Sequence, residues 1–188
     1  MAGSANLSDN PAFAPWPEAR GGAPPFDRIE TGHLQPALEA AMAEKRADVA
    51  AIVQNPEPPT FANTLEALEA SGAALNRAGR LLGTYTSTMN DAAMRQVQTW
   101  AAPLQAALRD EIAHNRALFE RIEAVHAARQ TSGLDSEQQR LATVVRERFL
   151  RQGAALSAPD KARLAEINQS LAGLYTRFSQ NILADEEG

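Results

Sequence analysis

The sequence predicts an all-α protein of about six helices in an antiparallel array, preceded by an extended arm rich in proline and glycine. From residue 31 onward, apolar residues recur at steps of three and four, and the strict alternation typical of β-strands is absent. Polar residues suited to helix caps also precede several of these apolar runs. We therefore divide the chain into an arm at 1–30 and a helical region at 31–188.

The first predicted helix covers residues 34–53 and ends at the proline-rich segment NPEPP at 55–59. Its apolar residues follow the spacing of one helix face. We expect Pro36 to be tolerated because it falls in the first turn, where a missing backbone N–H costs little.

The second predicted helix runs without a break from Phe61 to Leu82. Its apolar and glycine positions advance by 4, 3, 4, 3, 4 and 3 residues, which is a heptad pattern. Gly72 and Gly79 occupy two of these positions, although glycine costs about 1 kcal/mol of helix propensity relative to alanine. We therefore expect a neighbouring helix to pack closely at both glycines.

Four further helices are predicted. The first has Asp91 as its N-terminal cap, and the second follows Asn115. The last two begin at Asp135 and Ser157, which are followed after three residues by Gln138 and Asp160, as in a capping box. Pro103 is a possible kink in the first of these helices. The apolar face of the last helix carries Leu164, Ile167, Leu171, Leu174, Phe178 and Ile182.

Composition and charge argue against several classes of partner. The formal net charge is -5, and the 18 Lys and Arg residues are scattered, so no basic stripe suggests nucleic-acid binding. The absence of cysteine excludes disulfides and thiolate metal sites. The first twenty residues have no signal-peptide pattern, and no later stretch reaches the roughly 18 consecutive apolar residues of a membrane span. We predict a soluble, cytoplasmic protein with no membrane partner.

Catalytic patterns are also absent from the sequence. It contains no G-x-S-x-G, no glycine-rich phosphate loop and no H-E-x-x-H, so we predict no catalytic and no metal-binding residue in this chain. Each of the three histidines does follow a glutamate by three residues, a spacing used by di-iron helix bundles. The pairs are Glu30 with His33, Glu111 with His114, and Glu123 with His126.

Helix geometry makes a di-iron site the minor alternative. The first pair begins in the arm, and His114 and Glu111 are predicted to point toward water, away from the apolar stripe of their helix. His126 lies beside Ile122 and Val125, where we expect a hydrogen-bonded packing residue.

Several separated motifs resemble one protein family. PPFDRIETGHLQPALEAAM, NPEPPTFANTLEALEASG and INQSLAGLYTRFSQNILADE, in this order, are similar to the N-terminal region of bacterial zinc metallopeptidases of the thimet-oligopeptidase family, which includes peptidyl-dipeptidases and oligopeptidase A. The resemblance covers about residues 10–186. Ala62 departs from the acidic residue expected in the second motif, and Thr31 and Gly32 also differ, which bears only on local capping.

The resemblance implies that this chain is the N-terminal domain of a longer enzyme. Zinc would be bound by an H-E-x-x-H helix and a further glutamate beyond this sequence, and that portion would hydrolyse short peptides. The present helices would form one wall of a deep channel that restricts access to the zinc site. This chain alone would then be inactive and would need no cofactor.

The end of the last helix supports the same interpretation. Leu174, Phe178 and Ile182 continue the apolar face almost to the final residue, so we predict that they contact the missing catalytic domain of the same polypeptide. Exposed in isolation, they would favour self-association. The alternative is a free-standing helical adaptor that binds a partner through this face.

Overall fold

A computed structural model describes residues 7–16, 21–89 and 91–186, and it confirms the all-α class. No strand occurs within these ranges. A 3-10 turn at Leu7–Asp9 precedes the helices, and a π-helical segment at Phe61–Glu66 leads directly into α2. The α-helices are α1 Thr31–Gln54, α2 Ala67–Ala70, α3 Ala73–Thr88, α4 Ala92–Ala113, α5 Arg116–Ala128, α6 Ser136–Arg151 and α7 Ala158–Glu186.

The chain forms two compact units. Unit 1 contains residues 1–45, 72–105 and 170–188, and unit 2 contains residues 46–71 and 106–169. In unit 2, α5 packs against α6, and both contact the π-helical segment. The core of unit 2 is a cluster of Val49, Ile52, Phe61, Leu65, Leu68, Leu118, Ile122, Val125, Ala142, Val145, Phe149 and Ala154. Buried side chains of unit 1 include Leu34, Leu38, Ala78, Leu81, Met94 and Ala101.

The described part of the predicted arm is packed within unit 1. Ala12 is fully buried. The Asn10 side chain donates from Nδ2 to the carbonyl oxygen of His33 at 2.9 Å. The hydroxyl of Tyr85 donates to the carbonyl oxygen of Ile29 at 2.8 Å, which ties the end of the arm to α3. Residues 1–6 and 17–20 of the predicted arm lie outside the described residues.

The predicted cap of α4 is confirmed, and the structure shows a cap of the same kind at α5. Oδ1 of Asp91 accepts from the backbone N–H of Met94 at 2.7 Å. Oδ1 of Asn115 accepts from the N–H of Leu118 at 2.9 Å. Each bond satisfies one of the N–H groups that have no partner within the first helical turn.

The predicted start of α6 is confirmed as a full capping box. Asp135 Oδ1 accepts from the N–H of Gln138 at 2.8 Å, and Gln138 Oε1 accepts from the N–H of Asp135 at 3.1 Å. At α7 the pairing differs. Ser157 Oγ accepts from the N–H of Asp160 at 3.4 Å but donates to its carboxylate at 2.6 Å. At α6, each side chain therefore bonds the backbone N–H of the other residue. At α7, the second bond joins the two side chains instead.

The first helix begins earlier than the sequence indicates. Because α1 starts at Thr31, Pro36 lies in its second turn and not in its first. The helix remains continuous to Gln54, so the missing N–H of Pro36 costs a hydrogen bond without ending the helix. The predicted end before NPEPP is confirmed.

The predicted unbroken helix from 61 to 82 is wrong. The helix stops after Ala70, and Ser71 and Gly72 form a turn before α3 starts at Ala73. Gly72 adopts a left-handed conformation with φ of 76°, which glycine accepts without a steric penalty. The heptad spacing continues across this turn because it is a property of the sequence alone, and it is the same whether or not the intervening backbone is helical.

The two glycines differ in their surroundings. A Cβ at Gly72 would lie 2.7 Å from Cδ of Lys45 in α1, so the close approach predicted there is confirmed. Nothing lies within 4 Å of a Cβ built at Gly79, so the tight packing predicted at that position is wrong. Gly72 serves the turn and the contact, whereas Gly79 serves neither.

Candidate functional site: an exposed apolar face

The glutamate and histidine residues singled out from the sequence are engaged in separate local contacts. Nε of Arg46 donates to both carboxylate oxygens of Glu111, at 2.9 and 3.1 Å. His114 Nε2 lies 3.0 Å from the carbonyl oxygen of Gln152. Glu111 is exposed, as predicted, whereas half-buried His114 also contacts the turn after α6, which the sequence did not predict.

In the third pair the glutamate is likewise engaged by an arginine. Glu123 accepts from Nε of Arg146 at 2.6 Å. His126 is half-buried, and desolvation lowers the pKa of its imidazole, with smaller contributions from Arg129 and Arg146 that outweigh Glu123 and Glu147. Within residues 7–16, 21–89 and 91–186, no three His, Asp or Glu side chains are grouped to hold a metal ion.

The most distinctive surface of the described structure is the outer face of α7 in unit 1. We call it the α7 face, and its exposed members are Leu171, Leu174, Tyr175, Phe178 and Ile182. Exposure was expected from the sequence for three of these residues. Phe178 is 63% exposed, Leu174 is 52% exposed and Ile182 is 43% exposed. Tyr175, at 68%, was missed, although it lies four residues after Leu171 and therefore on the same face.

The opposite side of α7 faces the protein through smaller and more polar groups. Thr176 is buried, and its hydroxyl donates to the carbonyl oxygen of Ala172 at 3.0 Å. Nε2 of Gln180 donates to Oε1 of Gln98 on α4 at 3.0 Å and lies 3.3 Å from Oγ1 of Thr99. The helix is thus oriented with its larger apolar side chains outward, the reverse of a typical surface helix.

This orientation leaves a large hydrophobic free energy available for binding. Complete burial of one Leu, Ile or Phe side chain contributes about 1.5–3 kcal/mol. At about 100° per residue, the members of the α7 face lie within an arc of roughly 100°, so one partner surface could cover them all. Contiguous exposed apolar patches of this kind mark interaction sites. We therefore take the α7 face as the candidate functional site.

Sequence similarity to known proteins extends over most of this chain. No profile of a known protein family matches the chain. The chain is 43% identical over 163 residues to the dipeptidyl carboxypeptidase of Salmonella typhimurium and 42% identical over 163 residues to that of Escherichia coli, in each case over 86% of this chain. It is 24% identical over 162 residues, again 86% of the chain, to oligopeptidase A of Haemophilus influenzae.

Over most of its length this chain is similar in sequence to dipeptidyl carboxypeptidases and, at lower identity, to oligopeptidases A. The family resemblance inferred from the sequence motifs is confirmed. The matching region accounts for about 24% of the length of each of these three relatives. None of the described helices is both long and apolar enough to cross a lipid bilayer.

Proposed function

We propose that this chain is the N-terminal, substrate-restricting part of a zinc-dependent peptidase that hydrolyses short peptides in the cytoplasm. The observation that carries the proposal is the 43% identity to a dipeptidyl carboxypeptidase, which extends over 86% of this chain and only 24% of the relative. Peptide hydrolysis would therefore belong to the longer polypeptide, and this chain would contribute a defined part of it.

In this proposal the helices form one wall of a channel leading to the zinc site. A narrow channel admits short, unfolded peptides and excludes folded proteins, in keeping with the preference of ligand sites for domain interfaces. The zinc ligands and the general base lie elsewhere in the longer polypeptide. Support comes from the contacts of the local candidates, since Glu111 and Glu123 pair with arginines and His114 binds a backbone carbonyl.

The α7 face would pack against the catalytic part of the same polypeptide. Leu174, Phe178 and Ile182 would then be buried in the longer protein and exposed when this chain is studied alone. The second candidate function, a free-standing helical adaptor, is favoured by the same exposed face. The two candidates predict different coding sequences downstream of residue 188.

The coding sequence beyond Gly188 therefore separates these candidates. We expect it to continue in frame and to encode H-E-x-x-H on a predicted helix. A stop codon directly after Gly188 would refute the peptidase proposal and favour the adaptor.

A biochemical test complements the gene sequence. The longer polypeptide should cleave a short peptide in a reaction that a chelator abolishes and added zinc restores. As the control, residues 1–188 with zinc and the same peptide should show no cleavage. Chelator-sensitive turnover by this chain alone would contradict the proposal.

A further inference from the structure

We propose that the α7 face receives a single amphipathic α-helix of the longer polypeptide, packed lengthwise along α7. The inference rests on the proposed function, because it names the element of the remaining polypeptide that covers this face. It goes further in specifying the shape and the charge of that element.

The spacing of the exposed residues indicates a helical partner. Leu171, Tyr175, Phe178 and Ile182 advance by 4, 3 and 4 residues, and Leu174 lies three residues after Leu171 on the same face. Steps of three and four that repeat along one face form the seam into which the side chains of a second helix pack, with the two axes about 20° apart. The seam covers 171–182, about 17 Å of helix at a rise of about 1.5 Å per residue.

Among the described residues of unit 1, no other element covers this seam. Each member is more than two-fifths exposed, and Tyr175 reaches 68%. Gln180, on the other side of the helix, makes the hydrogen bonds to α4. The seam is therefore free along its whole length in the described structure, as a lengthwise partner requires.

Charge favours a different helix over a second copy of α7. The stretch 167–184 contains Arg177 and no acidic residue. If two copies paired antiparallel along this seam, the two Arg177 side chains would approach each other with no carboxylate of the stretch to offset them, and such like-charge contacts are unfavourable. We expect the partner helix to carry an acidic residue beside Arg177. The relatives are about four times as long as the matching region, so the remaining polypeptide can supply such a helix.

Thiol labelling tests the inference directly, because the sequence contains no cysteine and each variant carries a single thiol in this chain. The seam variants are Leu171→Cys, Leu174→Cys, Phe178→Cys and Ile182→Cys. The matched controls are Ser170→Cys and Ala184→Cys, which are exposed on the same helix but lie outside the seam. Each variant is prepared as residues 1–188 and as the longer polypeptide with any native cysteines replaced by serine. Circular dichroism and the melting temperature establish that each is folded.

The measured quantity is the rate of reaction with a maleimide. In residues 1–188 we expect all six thiols to react at similar rates. In the longer polypeptide we expect the four seam thiols to react more slowly by about tenfold or more, since they become accessible only during local opening. The two control thiols should keep their rates.

Three results would overturn the inference. Unchanged seam rates in the longer polypeptide would show that no helix covers the face. Equal slowing of the controls would indicate enclosure by something broader than one helix. Slowing of the seam thiols in residues 1–188 that grows with protein concentration would identify a second copy as the occupant. Peptide hydrolysis by the longer polypeptide, measured separately, tests the proposed function and does not depend on the labelling pattern.

Discussion

Asn168 on α7 donates from Nδ2 to Oδ1 of Asp110 on α4 at 2.7 Å. Asp110 is 8% exposed, and its Oδ2 has no hydrogen-bond donor among the described residues. The buried carboxylate therefore depends on Asn168 for its side-chain hydrogen bond. Within unit 2, this polar contact joins α7 to α4.

Replacement of Asn168 by Ala should destabilise the protein. Removal of the donor leaves a buried carboxylate without its side-chain partner, which costs about 1–3 kcal/mol and more for a charged group. Urea unfolding followed by circular dichroism measures the loss. Gln169→Ala is the control, because the neighbouring side chain is exposed. The double variant Asp110→Ala/Asn168→Ala should lose less stability than the sum of the two single variants. Strict additivity would contradict the coupling.

Arg121 is predicted to hold the segment before the π-helical turn in place. It is 8% exposed, and it donates from Nη1 to the carbonyl oxygen of Asn55 and from Nη2 to Oδ1 of Asn63, each at 3.0 Å. Hydrogen bonds to charged groups contribute about 1.5–3 kcal/mol. Arg121→Met should therefore lower the free energy of unfolding by about that amount, measured by urea unfolding.

The matched control for Arg121 lies on the same helix. The side chain of Arg116 is 87% exposed and pairs with Glu120 four residues later. Exposed pairs of this kind contribute about 0–1 kcal/mol. Arg116→Met should therefore leave stability nearly unchanged. A loss as large as that of Arg121→Met would argue against a specific role for the buried guanidinium.

The two glycines of the predicted second helix should respond to alanine in opposite directions. Gly72→Ala places a Cβ at a left-handed residue, which costs about 1–2 kcal/mol. Gly79→Ala adds a methyl group in open space inside a helix and should stabilise the protein by about 0.5–1 kcal/mol. Thermal unfolding of both variants measures the difference.

A second variant separates backbone strain from crowding at Gly72. Lys45→Ala removes the side chain that would lie 2.7 Å from the new Cβ. Since the unfavourable φ remains, Gly72→Ala should still destabilise the protein in a Lys45→Ala background. Complete rescue by Lys45→Ala would show that the contact, and not the backbone, limits this position.

His126 should make stability depend on pH below neutrality. Desolvation lowers the pKa of its folded-state imidazole below the ordinary value of 6.5, and Arg129 and Arg146 act in the same direction. The unfolded state therefore binds more protons just below pH 6.5. The contribution of His126 to stability is present above that pH and is lost as the pH falls through the folded-state pKa.

Urea unfolding between pH 5 and pH 8, for the unsubstituted protein and for His126→Gln, tests this dependence. We expect the slope of stability against pH below 6.5 to be smaller in the variant. NMR titration of the His126 ring gives the folded-state pKa directly. A folded-state pKa above 6.5 would reverse the predicted sign.

Most helix starts could be predicted from the sequence because a cap is a local interaction. Asn115 and Asp135 each bond a backbone N–H three residues later, so the relevant atoms lie within one turn of chain. The Thr60 cap shows the same independence of context. Its Oγ1 accepts from the N–H of Asn63 at 3.1 Å, and the departure from the family motif at Ala62 does not prevent this.

Positions that depend on distant neighbours could not be predicted in the same way. His114 was expected to face water, but Gln152, 38 residues later, supplies a carbonyl oxygen 3.0 Å from its ring. Leu104 lies four residues before Leu108 and so shares its apolar spacing in α4, but Leu104 is 39% exposed whereas Leu108 is buried. Neither outcome follows from helical periodicity, since periodicity gives the faces of a helix without stating which face meets another element.

By itself, the sequence determined the helical class, the caps and the apolar residues that share one side of α7, because these depend on spacing within a few turns. The tertiary structure decided which side of α7 faces the protein. In unit 1 this is the side that carries buried Thr176 and Gln180, which bonds Gln98 of α4. The larger apolar side chains consequently face outward, since a helix that uses its polar side for internal hydrogen bonds must turn the opposite side to its surroundings.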